Sequence, residues 1–105
     1  MPPPKVSVIM NCFNGEHYLR DAIDSVINQT YKDWEVIFWD NGSTDKSAEI
    51  AKLFGNRMQY FDTPTTYPLG KARNLAIQKA QGKYIAFLDC DDIWMPQKLE
   101  KKLIF

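Results

Sequence analysis

The sequence is poor in the residues that several kinds of chemistry require. Two cysteines, Cys12 and Cys90, and one histidine, His17, are spread over 105 residues. They are too few for a disulfide framework, and none stands at zinc-ligand spacing from another. Both cysteines are expected as free thiols in a reducing compartment, and His17, near the start of a predicted helix, is read as a surface residue without a role. Only five glycines occur, and no Gly-X-Gly-X-X-Gly follows the first predicted strand, which disfavours a dinucleotide-binding oxidoreductase. Neither sign of charge predominates, since thirteen Lys plus Arg balance thirteen Asp plus Glu. No overall field therefore draws the chain to nucleic acid or to an anionic membrane, and an anionic ligand must be held by local design. Apolar runs last only a few residues, against the roughly 20 needed to span a bilayer, and no signal-like segment follows residues 1–4. A cytoplasmic location is expected.

What is present is ordinary for a globule: 45% hydrophobic and 25% charged residues, on a length that supports one modest core. After a Pro-rich tail at 1–5, residues 6–11 (Val-Ser-Val-Ile-Met-Asn) form a β-rich run. Tyr18, Leu19, Ala22, Ile23, Val26 and Ile27 then recur at helical spacing up to about Asn28. The alternation repeats. A strand is predicted at 35–39 and a helix from Ser47 to Phe54, stopped at Gly55-Asn56; a short strand at 58–61 precedes a helix from Leu69 to Ala80, ended by Gly82. A fourth strand is predicted at 84–88, and Pro96 opens a last helix running through Leu99 and Leu103. Strands alternating with helices imply an α/β, Rossmann-like fold, with a mainly parallel sheet of about four strands and helices on both faces.

In such sheets ligands bind beyond the carboxyl ends of the strands, where strand order reverses. Three predicted strands end in polar sequence: Asn11-Cys12-Phe13-Asn14, Asp40-Asn41-Gly42-Ser43 and Asp89-Cys90-Asp91-Asp92. The last puts three carboxylates within four residues, where two charges about 6 Å apart repel by roughly 3 kcal/mol at an effective dielectric near 20. A hard divalent cation, Mg2+ or Mn2+, would offset that cost, binding through one or two carboxylates plus substrate phosphates. The plainer alternative is a solvated turn in which Asp92 or a neighbour caps the following helix. Asp40 ends its strand on the ligand side, where a carboxylate could accept from a base N–H or a ribose hydroxyl, although the turn around it could simply cap the next helix through Ser43, Thr44 or Asp45. Phe13 offers a face for base stacking or a core contact. Lys71 and Arg73 lie in the first turns of a helix whose N-terminus favours anions, and are candidates for diphosphate contacts or solvated charges.

Together these stretches resemble the inverting family 2 glycosyltransferases of the GT-A fold. The matches are Val6-Ser-Val-Ile-Met-Asn-Cys-Phe-Asn14, Ser25-Val-Ile-Asn-Gln-Thr-Tyr31, Val36-Ile-Phe-Trp-Asp-Asn-Gly-Ser-Thr-Asp45, Gly70-Lys-Ala-Arg-Asn74 and Gly82-Lys-Tyr-Ile-Ala-Phe-Leu-Asp-Cys-Asp-Asp-Ile-Trp94, in family order and spacing. The resemblance implies that residues 6–105 are the donor part of such a domain, binding a nucleotide-diphosphate sugar, with UDP the best guess. It assigns Asp91 to the metal, Asp89 to the ribose or donor sugar, Asp40 to the base, Asn11 and Phe13 to the base and ribose rim, and Arg73 to the sugar or diphosphate. Asn11 and Phe13 depart from the family's frequent Pro and Tyr, and Thr65-Thr-Tyr-Pro68 departs from its usual loop, so donor-sugar selection stays open. The family's catalytic base and acceptor site match nothing up to Phe105, so the chain is expected to be a truncated domain. Its acceptor, whether saccharide, lipid or protein, and any peripheral membrane association would depend on regions beyond it. A non-catalytic sugar-nucleotide-binding module and a receiver-type signalling domain are the competing readings, the latter weakened by Asn11 and Cys12 where an acidic pair is needed.

Overall fold

The computed structural model describes residues 5–102. Four strands, β1 (Val6–Cys12), β2 (Trp34–Asp40), β3 (Met58–Asp62) and β4 (Tyr84–Phe87), form one sheet in the order β3-β2-β1-β4, and every neighbouring pair is parallel. Helices α1 (Glu16–Ile27), α2 (Ser47–Ala51), α3 (Leu69–Ile77) and α4 (Lys98–Lys102) connect or follow them. β1 and β2 are buried along nearly their whole length, as central parallel strands covered on both faces must be.

The period-two alternation of the strands divides the core. Val6, Val8, Met10 and Cys12 of β1, with Val36 and Phe38 of β2, face α1 through Leu19, Ala22, Ile23 and Val26; Ala51, Trp94 and Leu99 complete that layer. Ile9, Ile37 and Trp39 point the other way, onto Ala72 and Ala76 of α3. Helices thus cover both faces, and the α/β architecture read from the sequence is the one observed.

Several boundaries differ from expectation. The helix predicted from Ser47 to Phe54 is α-helical only to Ala51 and continues as a 3₁₀ segment, Lys52–Arg57, in which Gly55 (φ 70°, ψ −142°) takes a backbone conformation that side chains oppose. α3 stops at Ile77 instead of Ala80, and its end is carried by the tighter turns Lys79 N–H to Ala76 O and Ala80 N–H to Ile77 O. Gly82 lies beyond the helix end and is needed for close approach: a Cβ there would stand 2.6 Å from the nitrogen and the Oγ of Ser7. α4 opens at Lys98 and not at Pro96; Leu103, at its predicted end, lies outside the described residues.

The strand order also bears on function. β1 is flanked by β2 on one side and β4 on the other, so the chain winds outward to β3, then crosses back over β1 to begin in the opposite direction. This is the 3-2-1-4 order of the Rossmann half and not the 2-1-3 order of receiver-type domains, which removes the signalling reading. The reversal places the crevice at the carboxyl ends of β1 and β4.

Candidate functional site

Two loops meet at the carboxyl edge, and their polar residues bind each other. Asn14, with φ 51°, turns the chain from β1 into α1. Its N–H donates to Ser43 Oγ at 2.9 Å, and its Oδ1 accepts from Thr44 N–H at 2.8 Å. Gly15 N–H donates to Ser47 Oγ at 2.9 Å, Glu16 N–H to Asp45 Oδ2 at 3.1 Å, and Lys46 N–H to Glu16 Oε2 at 3.3 Å. Asp45 also accepts from Ser47 N–H at 2.9 Å, just ahead of α2. Partial burial raises its pKa, but the hydrogen bonds, led by that to Ser47, outweigh it and hold the carboxyl below its ordinary range. The Asp-Asn-Gly-Ser-Thr-Asp run is therefore a clamp on the first loop as well as a turn.

Asp40 lies beneath this clamp, 3% exposed. Its Oδ2 accepts from Tyr60 OH at 2.6 Å and its Oδ1 from Ser43 N–H at 2.9 Å. Burial and the bond to Asp40 push the Tyr60 phenol well above its usual pKa. The carboxylate assigned from sequence to the base is thus enclosed and partnered in the fold, where it fixes the end of β2 to β3. Its neighbour Asn41, passed over in the sequence, clasps Tyr67 in both directions: Nδ2 donates to Tyr67 O at 2.8 Å and Oδ1 accepts Tyr67 N–H at 3.0 Å. Lys71 follows that loop, its Nζ 4.4 Å from the centre of the Tyr67 ring.

The other candidates gather at the β1–β4 crevice. Phe13, the first residue past β1, is 53% exposed. Asn11 is half-buried on the α3 face of β1, and its Oδ1 is enclosed without a hydrogen-bond partner. Across the ladder from it, Trp39 Nε1 is likewise unpartnered. Arg73 reaches from α3 to within 3.6 Å of Asp89 Oδ1, with its guanidinium 5.5 Å from the centre of the Phe87 ring. Asp89, Asp91 and Asp92 are exposed. The turn closes through Asp92 N–H to Asp89 O at 3.0 Å, and Asp92 Oδ1 accepts from Ile93 N–H at 2.9 Å. The capping alternative fails on distance along the chain, because α4 begins only at Lys98.

Cys90, between the carboxylates, points inward to Cys12. A hydrogen bond from Cys12 and another from the Phe13 backbone lower the Cys90 pKa, while the contact with Cys90 and then burial push the Cys12 thiol far above its usual range. Both are free thiols, as expected from the sequence. Among the described residues no three His, Cys, Asp or Glu side chains converge as a metal cage. The exposed oxygen donors of the turn fit the other mode of Mg2+ or Mn2+ binding, through one or two carboxylates completed by substrate phosphates.

The turn is held from below by a residue that sequence reading quoted without a role. Gln29, fully buried, donates through Nε2 to Ser25 O at 3.0 Å and to Met95 O at 2.7 Å, and accepts Leu99 N–H through Oε1 at 3.0 Å. Thr30 N–H adds a bond to Pro96 O at 2.8 Å. The end of α1 thereby fixes the segment that follows the acidic turn.

The strand order, with an acidic turn facing an arginine across the β1–β4 crevice, is that of an α/β domain with its ligand site at the carboxyl edge of the sheet. The family model "Glycosyl transferase family 2" matches residues 7–103, and the chain belongs to that family. An uncharacterized glycosyltransferase of Haemophilus influenzae is 46% identical over 108 residues, covering 100% of this chain and 43% of its own. An Escherichia coli relative named UDP-Glc:alpha-D-GlcNAc-diphosphoundecaprenol beta-1,3-glucosyltransferase is 37% identical over 99 residues, covering 93% of this chain and 39% of its own. The crystal structure of S. aureus TarS in complex with UDP-GlcNAc superposes with a TM-score of 0.89 at 29% identity, over 93% of this chain and 30% of that one. The chain thus spans well under half the length of each.

Proposed function

We propose that this chain is the donor-binding part of an inverting glycosyltransferase, and that it holds a UDP-sugar in the β1–β4 crevice. The observation that carries the reading is the meeting of Arg73 with Asp89, 3.6 Å apart, at the topological switch point, with the exposed Phe13 ring at its rim. In this reading Phe13 stacks on the base. Asn11, whose Oδ1 is unpartnered, accepts from a donor N–H or O–H, and Asp89 accepts from the ribose or sugar hydroxyls. Arg73 neutralises the diphosphate as charge develops on the leaving group, and Lys71 approaches the same phosphates only by leaving the Tyr67 ring. Asp40 acts on the base end by holding the strand and turn in place. Asp91 would hold Mg2+ or Mn2+, which supplies further charge neutralisation at the phosphates when bound.

The reaction in view is displacement at the anomeric carbon by an acceptor hydroxyl, with the diphosphate leaving from the opposite face. The acceptor of the E. coli relative is, by its name, a lipid-linked sugar. A saccharide or lipid-linked saccharide acceptor is proposed for the whole protein here, acting in the cytoplasm. Calorimetry with UDP, GDP and UDP-sugars, in Mn2+ and in excess chelator, tests the donor site. UDP binding strengthened by the metal is expected. Equal affinity in chelator would refute the metal's part, and no binding of any nucleotide would refute the site.

A further inference from the structure

The glycosyltransferase reading gives no work to the two sulfurs behind the acidic turn. β1 and β4 pair with a constant register from Val6 opposite Tyr84 to Ile9 opposite Phe87. The ladder is prolonged by Leu88 N–H to Ile9 O at 3.0 Å. β4 ends at Phe87, and the turn that follows it carries Cys90 to the end of β1, beside Cys12. Both side chains lie on the α1 side of the sheet, Cys12 in the core and Cys90 packed against it. They crowd a single point in space: a Cβ built on Gly15 would stand 2.6 Å from Cys90 Sγ and 2.9 Å from Cys12 Sγ. Glycine at this position leaves the room that the two sulfurs share.

We propose that Cys12 and Cys90 are a redox modification site, joined by a peroxide into a disulfide that draws the acidic turn toward β1 and weakens donor binding. The regulatory half of this proposal rests on the donor-site reading above; the pairing does not. Cys90 is the half-exposed member and meets the oxidant first. Its sulfur attacks the peroxide O–O bond, giving the sulfenic acid and releasing one water. The Cys12 sulfur then attacks that sulfur, the S–S bond forms, and the departing hydroxide takes up the Cys12 proton as a second water. Two thiols are oxidised and one peroxide is reduced; a dithiol reductant reverses the change. Since Cys90 is flanked directly by Asp89 and Asp91, any shift of its backbone turns both carboxylates away from the geometry a small hard cation demands.

The test oxidises the full chain with hydrogen peroxide and follows intact mass without reductant alongside UDP calorimetry in Mn2+. The expected product is a monomer lighter by two hydrogens, with UDP affinity lowered about tenfold and restored by dithiothreitol. Cys12→Ser and Cys90→Ser should each abolish the mass loss, and circular dichroism verifies that they fold. An oxygen adduct or a cross-linked dimer in place of the internal bridge would overturn the pairing. A bridged monomer with unchanged affinity would overturn the regulation alone. Absence of UDP binding to the reduced chain would instead remove the donor-site reading and the regulation with it, leaving the mass measurement to judge the pairing.

Discussion

The three aspartates of the turn differ in what already occupies them. Asp92 Oδ1 accepts from the next backbone N–H, and Asp89 faces Arg73 at 3.6 Å, whereas Asp91 is exposed with no hydrogen bond of its own side chain among those found for the described residues. Asp91→Asn should therefore remove most of the metal-dependent part of nucleotide binding, a loss of about tenfold or more in affinity, while Asp92→Asn should change it by less than about threefold. Parallel manganese titrations monitored by calorimetry would check the ranking, and equal losses would place the cation on the wrong residue. Exposure at the end of a strand is visible in a sequence as polarity following an apolar run, and that is why the placement of Phe13 and of the acidic turn at the carboxyl edge was legible. The burial of Asp40 was not legible, because the same polarity marks a carboxylate enclosed under its own loop. Only the position of Tyr60, twenty residues on and one strand over, separates the two cases.

At the scale of elements, the hydrophobic periods located all four strands and the three longer helical segments, since burial alternates at two residues in a strand and at three to four in a helix. They misjudged ends. α2 yields to a 3₁₀ segment that contains Gly55 at positive φ, and α4 starts at Lys98, after a turn in which Met95 O accepts from both Gln29 Nε2 and Lys98 N–H and Pro96 O accepts from Thr30 N–H. The bonds from Gln29 and Thr30 reach across 66 residues of sequence, and no local pattern encodes them. Gln29→Leu keeps similar bulk but removes the three bonds, leaving Met95 O without its side-chain donor and Leu99 N–H without its side-chain acceptor. Met95 O keeps its bond from Lys98 N–H, so the main cost is the Leu99 N–H left without its acceptor, and the loss should be about 1–3 kcal/mol, read as a lower urea midpoint. Because the latch holds the segment after the turn, UDP affinity in manganese should fall too, even at temperatures where the variant remains folded.

For the whole molecule, the question is what these 105 residues do by themselves. The chain covers 43% of the H. influenzae relative and 30% of the S. aureus structure. Transfer needs an acceptor hydroxyl held near the anomeric carbon and a base to take its proton. Positioning can be worth several kcal/mol, and general-base help about 10²- to 10⁴-fold. Within the described residues the carboxylates nearest the crevice have other work: Asp89 faces Arg73, Asp91 is proposed for the cation, and Asp40 is buried under Tyr60 and Ser43. The chain on its own should accordingly bind donor but turn it over only by slow hydrolysis. Nucleotide release would be measured for the chain with a panel of saccharide and lipid-linked acceptors, and again for the chain fused to the remainder of the H. influenzae relative. Acceptor should accelerate release only in the fusion, by about 10²-fold or more. Acceleration of the same size in the short chain would place a base within these 105 residues, and Asp89 and Asp92 would then be the first to exchange for asparagine.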